Sequence, residues 1–138
     1  MHTDGYDLSG RVAIVTGGGE GIGKATATLL SHYGASVVIA GRTEAKLQKT
    51  AQEITAATGG RCIGFPTDAR EGDAVKRLVA HTIEEFGRID ILINNVGWSD
   101  RSPIAELDYA GWRQEFTLNL DTAFFGSRAV YEHFSSTR

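Results

Sequence analysis

One stretch of the chain is suited to bringing bare backbone close to a ligand. Thr16-Gly17-Gly18-Gly19-Glu20-Gly21-Ile22-Gly23 sets glycines at 17, 18, 19, 21 and 23. Gly17 permits a tight turn, Gly21 lets a ligand meet the main chain with no side chain between, and Gly23 lets the next segment pack closely. If a helix starts here, its first amides have no partner within the helix and its dipole is positive at that end. The chemistry that suits both is a phosphate or pyrophosphate. Thr16, Gly17, Gly19, Gly21, Ile22 and Gly23 are therefore candidate binding residues. The spacing Gly-x-x-x-Gly-x-Gly differs from the Gly-x-Gly-x-x-Gly of the general dinucleotide fingerprint. No Gly-Lys-Ser/Thr follows, so the loop is not of the nucleoside-triphosphatase kind. The plainer alternative is a flexible turn with no ligand. The apolar run before the loop and the helical spacing after it argue for nucleotide binding.

A second position bears on which nucleotide. About twenty residues beyond such a loop, NAD-binding domains usually carry an acid that holds the ribose hydroxyls. Here the chain reads Gly41-Arg42. No acid repels a 2′-phosphate, and the Arg42 guanidinium can grip one with two N–H groups. This favours NADP over NAD; the plainer alternative is an ordinary surface arginine. Other reactive side chains are scattered. His2, His32, His81 and His133 have no zinc-like spacing, so no metal site is expected. Cys62 is the only cysteine, which forbids an internal disulfide and reads as a small buried hydrophobe.

The elements that must position these residues alternate between two periods. Compact apolar runs at 11–16, 36–40, 61–65 and 89–93 read as buried strands. Helical spacing follows at 22–33, closed by Gly34. It returns at 44–57, with Thr43 as candidate N-cap and Gly59-Gly60 as the stop, and again at 71–86, closed by Gly87. A polar loop covers 94–103, a short helical turn is plausible at 104–107, and the last long helix spans about 109–134. Met1 to Gly10 reads as a plain polar tail. Continuous Val, Ile and Leu strands, each followed by a helix, indicate an α/β fold: a Rossmann-like, doubly wound parallel sheet of about four strands in the order 3-2-1-4. Residues 1–138 are read as one domain, without repeats or linkers.

With these motifs in order, the chain resembles the short-chain dehydrogenase/reductase family, over its N-terminal, cofactor-binding half. Thr16-Gly-x-x-x-Gly21-x-Gly23 matches the family's cofactor loop. The resemblance implies that Asp68, with Ala69 beside it, accepts a hydrogen bond from the adenine amino group. Asn94-Asn95-Val96-Gly97 matches the family's Asn-Asn-Ala-Gly, with valine in place of alanine. There Asn95 steadies the central sheet and the segment lies along the cofactor ribose. Asn119 matches the asparagine that holds a water in the proton relay, and is the one candidate catalytic residue. NADP-preferring members often carry a base just before the second loop glycine. Glu20 stands there instead and would weaken 2′-phosphate affinity if it points inward.

Members of that family are roughly twice this long, and their catalytic serine and Tyr-x-x-x-Lys pair follow a fifth strand. The tyrosine exchanges a proton with the substrate oxygen, helped by the lysine. Tyr6, Tyr33, Tyr109 and Tyr131 are the four tyrosines, and none has lysine four residues on. Tyr131 reads as packing or surface. The chain alone is therefore expected to be inactive, with an exposed fourth strand. Its last helix, bearing Trp112, Phe116, Leu120, Phe124, Phe125 and Val130, is expected to need cover from a homodimer or tetramer. Trp98 is either a substrate contact or a lid, Asp100 and Arg101 read as solvated, and Asp90 marks a strand start or a local hydrogen bond.

Net charge is −3, with acids and bases interspersed, so a nucleic-acid partner is not expected. No apolar run approaches the roughly twenty residues of a membrane span. A cytoplasmic setting is expected, on the single cysteine and the absence of a secretory pattern in the first residues. Three functions compete. One is an NADP-dependent oxidoreductase acting on a small carbonyl or alcohol. Another is a non-catalytic nucleotide-binding or oligomerising module. The last is a partner-binding fragment without cofactor.

Overall fold

The computed structural model describes residues 5–135. Four strands, β1 (Val12–Thr16), β2 (Ser36–Gly41), β3 (Cys62–Pro66) and β4 (Ile91–Ile93), form one sheet in the order β3-β2-β1-β4. All its pairings are parallel; Ile14 lies opposite Val38 on one side and Leu92 on the other. The order is the one expected from the strand–helix alternation.

Alternate residues of the central strands supply two cores. Val15, Val37 and Ile39 face helices α1 (Gly21–His32) and α2 (Glu44–Thr58), packing with Ala27, Leu47 and Ile54. Ile14 and Val38 face the other way, onto Leu78 and Val79 of α3 (Gly72–Phe86) and Val130 of α5 (Thr122–Ser135). Because both faces are covered, every residue of β1 is buried, which is why its sequence runs apolar without alternation. Gly59 and Gly87 close α2 and α3 in the left-handed conformation, at φ +73° and +75°.

Four differences from the sequence reading have physical causes. The long last helix is not uniform: α4 (Tyr109–Phe116) passes through a π-turn at Thr117–Asp121 before α5. Residues 89–90 precede β4 rather than belong to it, because Asp90 takes its own partners, described below. Thr43 does stand at the N-cap of α2, but its side chain makes no capping hydrogen bond. The segment before residue 10 is not merely a tail: the Leu8 amide donates to the Tyr33 carbonyl at 2.8 Å and its side chain packs on the core. Met1–Asp4 lie outside the described residues.

Candidate functional site

In a parallel sheet with helices on both faces, a crevice opens where the chain leaves adjacent strands for opposite faces. That point lies between β1, which feeds α1 on one face, and β4, whose chain returns as α4 and α5 on the other. A cleft of about 660 Å³ opens there, a volume within the range of small-molecule sites. The segments following all four strands line it. Gly17, Gly19, Glu20 and Ile22 come from the first; Arg42, Thr43 and Lys46 from the second; Asp68, Ala69 and Arg70 from the third; and Asn95, Val96, Gly97 and Trp98 from the fourth.

The glycine loop is fixed from three directions. Thr16, 4% exposed, donates its hydroxyl to the Ile93 carbonyl at 3.3 Å and accepts the Asn95 amide at 3.1 Å, tying β1 to the end of β4. The Asn95 side chain donates to the Gly17 carbonyl at 3.2 Å. From the other side, the Thr50 hydroxyl of α2 donates to the Gly19 carbonyl at 2.8 Å. Gly17 turns at φ +64°, and a Cβ on Gly23 would strike the Gly17 carbonyl and lie 2.6 Å from the Asn95 side-chain nitrogen. A Cβ on Gly21 would meet nothing within 4 Å, and Gly21, at φ +55°, is not among the residues that line the cleft. The first turn of α1 contains no carboxylate, and Glu20 at its N-cap makes no capping bond. The first α1 amides therefore have no side-chain partner from the N-cap or the first turn, the arrangement in which a helix N-terminus can receive an anion.

Charged groups cluster at the far end of the cleft. Arg70 forks onto Asp68, with Nε to Oδ1 at 2.9 Å and an NH2 nitrogen to Oδ2 at 2.5 Å. The Asp68 carboxyl sits below its ordinary value chiefly through this hydrogen bond from Arg70; burial opposes the shift, and the charges of Arg70 and Arg42 assist it. Asp68 is thus an anion, able to accept from a donor such as an exocyclic amine. Glu20 is paired within the cleft. Its carboxylate meets Lys46 Nζ at 2.8 Å, and that hydrogen bond holds it below its ordinary range.

Asn119 stands behind the segment 97–98. Its side-chain amide donates to the Trp98 carbonyl at 2.7 Å and to the Glu115 carbonyl at 2.9 Å, while its oxygen accepts the Trp98 amide at 3.1 Å. Glu115 in turn accepts the Asp100 amide at 2.8 Å. Trp98 itself is 53% exposed at the rim.

Of the residues singled out by sequence, Gly17, Gly19, Ile22, Arg42, Asp68, Ala69, Asn95, Val96 and Gly97 line the cleft. Thr16 and Gly23 lie beneath it as supports, and Asn119 braces one wall. Sequence reasoning passed over Thr50, Lys46 and Arg70. Thr50 carried a faint signal, as a hydroxyl on the otherwise apolar face of its helix; the partner of Lys46 is set by a contact between elements, and Arg70 has its partner two residues away. Gly18 was passed over as well: a Cβ there would lie 2.7 Å from Ile39 Cβ, so the glycine run also packs on β2. Among the described residues no His, Cys, Asp and Glu group could hold a metal ion.

A family profile described as short chain dehydrogenase matches residues 11–138. The short chain dehydrogenase/reductase astE of Aspergillus oryzae is 44% identical over 116 residues, which are 83% of this chain and 44% of that protein. The gluconate 5-dehydrogenase of Gluconobacter oxydans is 39% identical over 132 residues, 96% of this chain and 51% of that one. Among solved structures, the citronellol catabolism dehydrogenase AtuB of Pseudomonas aeruginosa superposes with a TM-score of 0.83 at 42% identity, over 92% of this chain and 51% of that one. The chain spans about half the length of the relatives it matches.

Proposed function

The chain belongs to the short-chain dehydrogenase family, and from that premise we propose that its residues form the dinucleotide-binding part of an oxidoreductase and hold NADP(H). The observation that carries this reading is the convergence of the glycine loop, Arg42, Asp68 and Asn95–Gly97 on one cleft. Thr16, Gly17, Gly19, Gly21, Ile22 and Gly23 shape the loop around the pyrophosphate. Arg42 takes the 2′-phosphate, Asp68 and Ala69 the adenine, and Asn95, Val96 and Gly97 the ribose beside the nicotinamide. The cofactor supplies a hydride acceptor or donor for a small alcohol or carbonyl. Asn119 acts through its neighbours, keeping the wall at Trp98 in place, and is the residue proposed to hold a water of the proton relay.

The proton-transfer pair Tyr-x-x-x-Lys does not occur within the 138 residues. Binding without turnover is therefore the activity proposed for this chain by itself, and hydride transfer is proposed for the oxidoreductase as a whole. The cytoplasm is the proposed setting. Among the described residues, no helix is long and apolar enough to cross a membrane.

Calorimetric titration with NADP+ and NAD+ tests the cofactor assignment. Tighter binding of NADP+ is expected, and Arg42→Ala is expected to reduce that preference by about tenfold or more, the scale of one lost charge-assisted contact. A preference that survives the substitution would remove Arg42 from the role. A panel of ketones with NADPH is expected to give no turnover.

A further inference from the structure

We propose that Lys46 is a second cation of the 2′-phosphate subsite, and that Glu20 holds it in reserve until that phosphate arrives. The inference rests on the NADP reading above and adds a specificity residue to it. Arg42 and Lys46 flank the start of α2 and line the same cleft. Lys46 Nζ lies 2.8 Å from Glu20 Oε2, so the pair bridges the glycine loop to α2. Lys46 is 47% exposed and Glu20 76%, and an ion pair so open to water is weakly held and readily exchanged. A phosphate brings greater charge and three acceptor oxygens where the carboxylate brings two, so it is the stronger partner for the ammonium.

Exchange need not disturb the loop. Its backbone at this point is held separately, by the buried Thr50 hydroxyl on the Gly19 carbonyl. Of the other charges lining the cleft here, Arg70 is forked onto Asp68, while Arg42 is the first cation proposed for the phosphate. Lys46 is the paired cation whose present partner can be replaced without breaking the Arg70–Asp68 fork. Glu20, whose charge would oppose a 2′-phosphate, thus has that charge offset by Lys46. With NAD, which lacks that phosphate, the pair stays closed.

The test uses the 138-residue chain with adenosine 2′,5′-bisphosphate and AMP as calorimetric probes. These differ only in the 2′-phosphate. Lys46→Gln is expected to weaken the bisphosphate about tenfold and leave AMP unchanged. Glu20→Gln is expected to strengthen the bisphosphate several-fold, with most of that gain lost in the double variant. Lys46→Arg should keep the preference, and unchanged circular dichroism checks the fold of each variant. A Glu20→Gln gain of equal size without Lys46 would overturn the proposal, since Glu20 would then act by direct repulsion. So would a Lys46→Gln variant that binds like the parent. If Arg42→Ala abolishes the preference while Lys46→Gln does not, the NADP reading stands and this inference falls. If the parent shows no preference, the phosphate does not displace Glu20, and both the NADP reading and this inference fall, even where Glu20→Gln creates a preference. If neither probe binds, both fall.

Discussion

Thr50 has one short bond to the glycine loop, and the loop's setting depends on it. The side chain is 4% exposed and donates to the Gly19 carbonyl at 2.8 Å. Replacing it with valine keeps its shape but leaves that carbonyl without its donor, a loss of about 1–2 kcal/mol in stability. Thr50→Val is expected to weaken ADP more than adenosine in calorimetry, because only ADP uses the loop, and Thr50→Ser should restore it. Equal losses for both ligands would mean a general effect on the fold. Cys62 provides a contrast without function: burial pushes its thiol up to about 12, and only the thiolate reacts. It should resist thiol reagents in the folded chain at neutral pH and label on unfolding. Rapid labelling of the folded protein would contradict its buried position. At this scale the sequence was informative where a residue type serves a local need. Glycines of the loop and Arg42 could be picked out by position, and Asp68 by the family resemblance. Lys46, Thr50 and Arg70 could not, because Lys46 meets Glu20 across 26 residues and Thr50 meets Gly19 across 31, and no spacing rule reaches between elements. For Arg70, the neighbouring Asp68 was visible but not their fork.

Strands and helices were legible to within a few residues, since apolar periodicity follows directly from two-sided burial. What escaped was set by tertiary contact. The π-turn at Thr117–Asp121 has no unusual composition, and it coincides with Asn119 reaching Trp98; such turns often occur at functional positions. The start of β4 was misplaced for a similar reason. Asp90 accepts the Val12 amide at 2.9 Å and salt-bridges to Arg88 and Arg11, with its side chain only 11% exposed. Burial pushes its carboxyl up, but the hydrogen bonds from Arg88, Val12 and Arg11 outweigh it and bring the value down to about 2. A depressed carboxylate adds stability above its unfolded pKa and loses it as pH falls through the folded one. The contribution, roughly 2 kcal/mol, should be complete above about pH 4 and vanish near pH 2. Asp90→Asn should therefore destabilise the chain by about that much at neutral pH and flatten the fall in stability over this window, as followed by urea denaturation. An unchanged pH profile would show that Asp90 does not hold β1 to β4.

Over the whole molecule, the apolar surface is unevenly distributed. Trp112, Leu120 and Phe124 are 46%, 56% and 62% exposed along α4, the π-turn and α5, and β4 pairs only with β1 among the described residues. Val130 of the same helix run is instead buried against the sheet, so this helix turns part of its apolar surface inward. A homodimer or tetramer covering the exposed part is the expectation; light scattering that gives a stable monomer at micromolar concentration would remove it. Oligomer and catalysis both leave the central proposal untouched, which is that the cleft above the sheet takes a dinucleotide. Titrating isotope-labelled chain with NADP+ and following the backbone amide resonances tests that most directly. Saturable shifts should concentrate at Gly17–Gly23, Arg42, Asp68–Ala69 and Asn95–Trp98. Unmoved resonances at these positions, or shifts gathered on another face, would contradict it.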